Sequence, residues 1–98
     1  MPQIQPASLA KVENVFRANV AMNKDVAIKL AKENGVLKSA KIFNVTRGNE
    51  DIVSSYSFGS KTSSLNKARI MLTEEISQIC EKAKEGAKLF ADIMGWVK

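Results

Sequence analysis

The chain has 98 residues, 45% of them hydrophobic, and its 15 lysines and arginines outnumber its 10 acidic residues to give a net charge of +5. This length and composition predict one globular domain over residues 1–98, which buries its core without disulfides or a structural metal. Histidine is absent and Cys80 is the one cysteine, which excludes Ser-His-Asp and Cys-His catalysis, His-based zinc sites and an internal disulfide.

The remaining titratable groups give no catalytic pattern. Glu74 and Glu75 are adjacent, so on a helix their side chains diverge by about 100°. Glu81 and Glu85 share a helix face, but lysines surround them, which is typical of a solvated surface. Cys80 is predicted to be a buried small hydrophobe. We therefore expect no enzyme, no catalytic residue, no cofactor and no metal site.

The chain lacks the sequence signals of export or membrane insertion. Residues 1–7, with prolines at positions 2 and 6, do not form a basic segment followed by an apolar run, and they predict a short flexible arm. No segment approaches the roughly 20 apolar residues of a membrane span. A cytoplasmic location without a membrane span is therefore expected.

The segment after the arm has helical spacing. Ser8 can act as an N-cap, and Gly35 can end the helix just after Asn34. The apolar residues between them fall on one side of a helical wheel: Leu9, Val12, Val15, Phe16, Val20, Met22, Val26, Ala27 and Leu30. The pattern predicts an N-terminal helix.

Asn19 and Asn23 interrupt the apolar side of this helix, where an unpaired buried amide would cost about 1–3 kcal/mol. In the favoured interpretation the helix breaks, and Asn23 caps a second helix from Lys24 to Asn34. In the alternative, both amides meet a partner across an interface and fix its register.

After Gly35 the pattern alternates, which predicts a β-hairpin from about Lys41 to Phe58. A two-residue type II′ turn at Gly48-Asn49 would place Arg47 opposite Glu50 and Val45 opposite Ile52. In this register one face packs on the helices, and it carries Phe43, Val45, Ile52 and Tyr56.

The stretch from Ser63 to Lys98 predicts one long amphipathic helix with its N-cap at Ser63 or Ser64. Arg69 does not fit the apolar stripe, and Gly86 is either a bend or a point of close approach. The stripe comprises Leu65, Leu72, Ile76, Ile79, Ala83, Gly86, Phe90, Ile93 and Val97. With the other elements, this helix predicts an α+β fold.

Apolar residues outside that stripe suggest a function. One N-terminal helix and a hairpin cover one side of the long helix, so further apolar residues need another partner. These residues are Ile70, Met71, Leu89 and Trp96. The leading hypothesis is a non-enzymatic interaction protein that self-associates as a homo-oligomer, or binds a protein partner, through the C-terminal helix.

The basic first half supports an alternative hypothesis, a nucleic-acid-binding module formed by residues 17–47. The side chains expected to contact phosphates are Arg17, Lys24, Lys38, Lys41 and Arg47. A small inhibitor of another protein is a further possibility.

Overall fold

The computed structural model describes residues 11–58 and 62–97, with the side chains of residues 62–66 outside this description. The arm predicted at residues 1–7 lies outside the described residues. Four antiparallel strands in chain order are followed by two helices. The elements are β1 Lys11–Ala21, β2 Lys24–Glu33, β3 Val36–Thr46, β4 Asn49–Ser57, α1 Thr62–Lys82 and α2 Gly86–Val97.

The predicted N-terminal helix is wrong, because the segment forms β1 and β2. Its apolar residues also alternate, as in Val26, Ile28 and Leu30, all of which are buried. Alternation places every second residue on the core side of a strand. Asn23 caps no helix, since it lies in the turn between the two strands with φ of 58°.

Two-residue turns join the strands, at Met22-Asn23, Asn34-Gly35 and Arg47-Gly48. Both residues of the last two turns have positive φ, as type I′ turns require. A hairpin does form from β3 and β4, but the predicted turn at Gly48-Asn49 and its register were wrong. Val45 lies opposite Glu50 instead of Ile52.

One face of the sheet packs against both helices. Residues directly opposite each other on antiparallel strands share a face, and one such row on the helix side consists of Phe16, Ile28, Ile42 and Ser54. The buried core comprises Val26, Ile28, Leu30, Leu37, Ala40, Ile42, Phe58, Leu72, Ile76, Cys80 and Ile93.

The predicted packing face of the hairpin was therefore wrong in part. Phe43 and Ile52 form a pair on the face away from the helices, and Val45 shares that face. Tyr56 does face the helices, because it lies opposite the buried Ala40 and donates a hydrogen bond to Glu75 of α1.

The single helix predicted from Ser63 to Lys98 was also wrong, since α1 ends at Lys82 and α2 begins at Gly86. α1 begins at Thr62, before both predicted caps, Ser63 and Ser64. The two expectations for Gly86 both hold. The chain turns there, and a Cβ at this position would lie 2.5 Å from the carbonyl carbon of Cys80 and closer still to its oxygen.

Candidate nucleic-acid interface

The sheet face away from the helices carries a basic centre. Two neighbouring rows cross this open face: one runs through Val15, Lys29, Lys41 and Ser55, and the other through Arg17, Ala27, Phe43 and Ile52. Neither row contains an acidic residue. We call Arg17, Lys29, Lys41 and Phe43 the central patch.

Lys29 and Lys41 lie directly opposite each other on the two inner strands. Side chains in such pairs have Cβ atoms about 4.5–5.5 Å apart, and like charges there destabilise a sheet. The pair therefore concentrates positive charge where folding alone would disfavour it.

Phe43 provides an aromatic surface beside these charges. Its ring is half-buried, and Lys29 Nζ lies 5.3 Å from the ring centroid, within cation–π range. Between Phe43 and Arg17 lies Ala27, which is only 3% exposed although no helix covers this face. Because Ala27 is small, the longer side chains of Arg17 and Phe43 extend further from the sheet than it does.

A shallow groove of about 140 Å³ adjoins the patch. Its walls come from β1, β2 and β3, and they combine lysine ammonium groups, a hydroxyl, the aromatic ring and one carboxylate. The lining residues are Glu13, Lys29, Ala31, Ser39, Lys41 and Phe43.

Acidic residues border the two central rows. Glu13 lies in the row on one side, and Asp25 and Glu50 lie in the row on the other. The Asn19 amide donates to Asp25 Oδ1 at 2.7 Å and to the carbonyl of Ala21 at 3.1 Å. These hydrogen bonds connect Asp25, in the row beside the patch, to the end of β1 at the first turn. The border confines the positive surface to two rows on β1, β2 and β3, which is about 10 Å across three strands at roughly 4.8 Å per spacing.

The predicted phosphate contacts are only partly brought together. Arg17 and Lys41 share the open face, whereas Lys24 lies at the first turn, where it lines a groove with residues of α1. Lys38 lies at the bulge in β3 near the second turn, and Arg47 lies in the third turn. These three are outside the central patch.

Sequence reasoning missed Lys29, because it placed that residue in the last turns of a helix. The signal was present in the Asn-Gly pair at 34–35, the dipeptide most typical of a type I′ hairpin turn. A hairpin folded there brings Lys29 opposite Lys41 once the bulge is included.

The residues predicted to bind a protein partner lie on two helices. Ile70 and Met71 are on α1, with exposures of 59% and 52%. Leu89 and Trp96 are half-buried on α2. The four therefore do not line one helical face.

Trp96 makes its contacts within the chain. Its ring meets Phe16 of β1 edge to face, with centroids 6.5 Å apart. Lys32 Nζ lies 4.4 Å from the centroid of the Trp96 ring. These contacts fasten the end of α2 to the sheet.

Glu75 connects α1 to β4. Ser54 Oγ donates to Glu75 Oε2 at 2.6 Å, and Tyr56 Oη donates to Glu75 Oε1 at 2.5 Å. Burial, and then the hydrogen bond to this carboxylate, raise the pKa of Tyr56 to about 12. The arrangement holds the phenol protonated and fixes the helix over the strand.

Cys80 is buried, and its burial raises the pKa of the thiol. A raised pKa disfavours the nucleophilic thiolate. The prediction that Cys80 is a buried small hydrophobe is confirmed.

Over residues 11–58 and 62–97, no group of three or more His, Cys, Asp or Glu is placed to hold a metal ion. No helix in this part of the chain is long and apolar enough to cross a membrane. Comparison with protein-family models, curated proteins and solved structures finds no match to the chain.

Proposed function

We propose that this protein binds single-stranded nucleic acid on the open face of its sheet. The observation that carries the proposal is the opposed pair of Lys29 and Lys41 on the inner strands, with Phe43 and Arg17 in the next row. This surface combines the two features of single-strand binding, which are cationic groups for the backbone and an aromatic ring for a base.

The charges favour a polyanionic ligand. Three cationic side chains lie in two rows without an acid, and a phosphate placed between Lys29 and Lys41 would offset their mutual repulsion. Binding should release counterions, so affinity should fall as salt rises, with a slope of about 0.7 per neutralised phosphate on a log–log plot for single strands.

The geometry favours a single strand over a duplex. The major groove of B-DNA admits a helix or a two-stranded ribbon, whereas the central patch spans three strands of one sheet. A base can stack on Phe43 only if it is unpaired and turned outward. A patch about 10 Å wide fits about two nucleotides, within the two or three that sheet-based RNA-binding modules stack.

The test of the charges uses fluorescence anisotropy with short labelled oligo-dT and oligo-U strands and a duplex of the same length. Lys29→Gln/Lys41→Gln should weaken single-strand binding at least tenfold and reduce the salt slope by about 1.4. Lys67→Gln/Lys84→Gln removes the same charge at exposed positions on the helical side. This control should retain most of the affinity.

The test of stacking uses Phe43→Leu, which keeps an apolar side chain but removes the ring. Stacking contributes about 1–3 kcal/mol per base, so a 5- to 150-fold loss is expected. Ile52→Ala, in the same row but without a ring, should change affinity little. Absence of binding at low salt, or equal weakening by the two lysine pairs, would refute the proposal.

A further inference from the structure

The two edge strands of the sheet differ in how they are protected. β1 carries Lys11, Glu13 and Arg17, and the turn between the helices lies beside its residues 17–19, with which it lines one groove. Charges and covering segments are the usual means of keeping an edge strand from pairing with another chain. β1 is therefore protected against pairing with a strand of another chain.

After Asp51, β4 carries none of the charges that protect β1, and its irregularity is the bulge at Val53. Its remaining residues, Ile-Val-Ser-Ser-Tyr-Ser at 52–57, include no charge, proline or glycine. In the described sheet only β3 pairs with it, so the outer backbone groups of β4 have no strand partner there. A long uncharged edge strand is a template for addition of a further strand.

Apolar side chains flank this edge on both faces. Ile52 is 64% exposed beside the open face, and Val53 is 49% exposed at the bulge. Above the edge, Met71 lies one helical turn before Glu75, which bonds to Ser54 and Tyr56 of β4. Met71 therefore lies on the β4 side of α1, where it is half exposed.

We infer that β4 pairs antiparallel with β4 of a second copy of this chain. The positions of the charged residues on β4 favour a second β4 as the partner and an antiparallel direction of pairing. Parallel pairing would place Glu50 and Asp51 beside their own copies, whereas antiparallel pairing about Ser55 separates the two Asp51 residues by about 25 Å along the strands. The uncharged segment is thus complementary to itself, as a two-fold interface requires.

A two-fold pair centred on Ser55 places Ser54 opposite Tyr56 of the partner and Val53 opposite Ser57 of the partner. Directly opposed residues share a face, so the open faces of the two copies lie on one side. The dimer is a continuous eight-stranded sheet with a central patch in each half. A short ladder with three apolar flanking residues belongs to the weak class of interfaces.

The experiment measures molar mass by light scattering and sedimentation velocity, on the full chain without nucleic acid. Wild type should rise from 10.7 kDa towards double that mass as concentration increases. Ser55→Glu places two carboxylates opposite each other at the two-fold axis and should remain monomeric. Because Ser55 lies opposite Lys41 within the chain, the glutamate should not weaken the monomer.

Val15→Glu is the matched control. Val15 lies in the same row on the other edge strand, also opposite a lysine, Lys29, so this variant should dimerise like wild type. Ser55→Lys should be monomeric alone, and it should be less stable than wild type because the new lysine lies opposite Lys41. Mixing the folded variant with Ser55→Glu should restore the dimer by pairing opposite charges. Folding of each variant is followed by Trp96 fluorescence.

Four outcomes would overturn the inference: a wild-type chain that stays monomeric at high concentration, a Ser55→Glu variant that dimerises normally, a Val15→Glu variant that does not dimerise, or a mixture that stays monomeric. Binding of nucleic acid by a strict monomer would leave the proposed function standing while removing this interface.

Discussion

Replacing Gly86 by alanine tests the packing of the two helices. Alanine is the better helix former, by about 1 kcal/mol in a helix interior and by less at the first residue of a helix, where Gly86 lies, so on propensity alone the change would not destabilise the protein. At Gly86, however, the new Cβ would lie 2.5 Å from the carbonyl carbon of Cys80 and 3.1 Å from its Cα. These are backbone atoms of α1 and cannot rotate away.

The expected magnitude follows from those distances. Carbon atoms pack at about 3.5–4.0 Å, and the Cys80 oxygen lies closer to the added Cβ than the carbonyl carbon does, so the start of α2 must move by more than about 1 Å away from α1. That movement disturbs the hydrogen bond from the Ala83 N–H to the Cys80 carbonyl, 3.1 Å in length. Overpacking of this kind costs about 1–3 kcal/mol, and because one partner is rigid backbone we expect about 3 kcal/mol.

The assay is thermal and urea unfolding of wild type and Gly86→Ala, followed by circular dichroism and by Trp96 fluorescence. For a domain of this size 1 kcal/mol shifts Tm by about 4–8 °C, so a fall of at least about 10 °C is expected. Gly95→Ala is the matched control, because nothing lies within 4 Å of its added Cβ. It should raise stability slightly, by less than about 1 kcal/mol.

The two substitutions make the same chemical change in the same helix, but Gly86→Ala should lower the free energy of unfolding whereas Gly95→Ala should raise it. A Gly86→Ala protein as stable as wild type would mean that the two helices do not approach each other as closely as described. A destabilised Gly95→Ala protein would show that alanine is unfavourable in α2 for a reason other than contact with Cys80.

Two further predictions concern Tyr56 and Asn23. Tyr56→Phe should lower the free energy of unfolding in urea by about 1.5 kcal/mol, because the hydroxyl donates to a carboxylate. Folding raises the pKa of Tyr56 from 10.0 to about 12, so the stability that Tyr56 contributes is complete below pH 10 and is lost as pH rises towards 12. The free energy of unfolding of Tyr56→Phe should therefore fall less than that of wild type between pH 10 and pH 12. An equal fall in the two proteins would contradict the hydrogen bond to Glu75. Asn23 has φ of 58°, so Asn23→Val should cost about 1–2 kcal/mol in the same assay while Asn23→Gly should be nearly neutral. Equal stability of the valine variant would refute the turn conformation.

The first half of the chain shows why helical spacing misled. Phe16 and Val26 lie on the core side of the sheet, but Val15 and Ala27 lie on the open side. Adjacent apolar pairs from opposite faces of a strand reproduce the three- and four-residue spacing of a helix. Val15 is 41% exposed, which cannot be inferred from the sequence alone. Because it is apolar, Val15 was assigned to the buried side of the predicted N-terminal helix.

The same ambiguity decided the orientation of β3. Ile42 and Phe43 are adjacent and both apolar, so alternation predicts a strand without stating which residue faces the core. Neighbouring strands settle the choice, since Ile28 pairs with Ile42 and Ala27 with Phe43. The predicted turn, one residue too late, shifted the register by two residues, and the bulge between Ile42 and Phe43 places Phe43 and Ile52 on the opposite face from Tyr56. Long-range pairing of this kind is not encoded in local periodicity.

Local sterics were more predictable than pairing. Gly86 was identified from its position within an apolar stripe, because a glycine there is costly unless the backbone approaches something closely. For the site, Arg17 and Lys41 were identified by charge alone. Lys29 and Phe43 were missed as members of it, since their roles depend on which face of the sheet lacks a helix.

The order of the strands has a consequence for synthesis of the chain. Each strand pairs with the one made just before it, so hairpins close through short loops and the sheet can begin to assemble as it is translated. Both helices that cover its apolar side come from residues 62–97, the last part described. At about 5–20 residues per second, a nascent sheet would present Ile28, Leu30 and Ile42 to water for about 2–7 seconds before that cover is made. Until the helices cover them, these strands are a surface on which the chain is prone to aggregate.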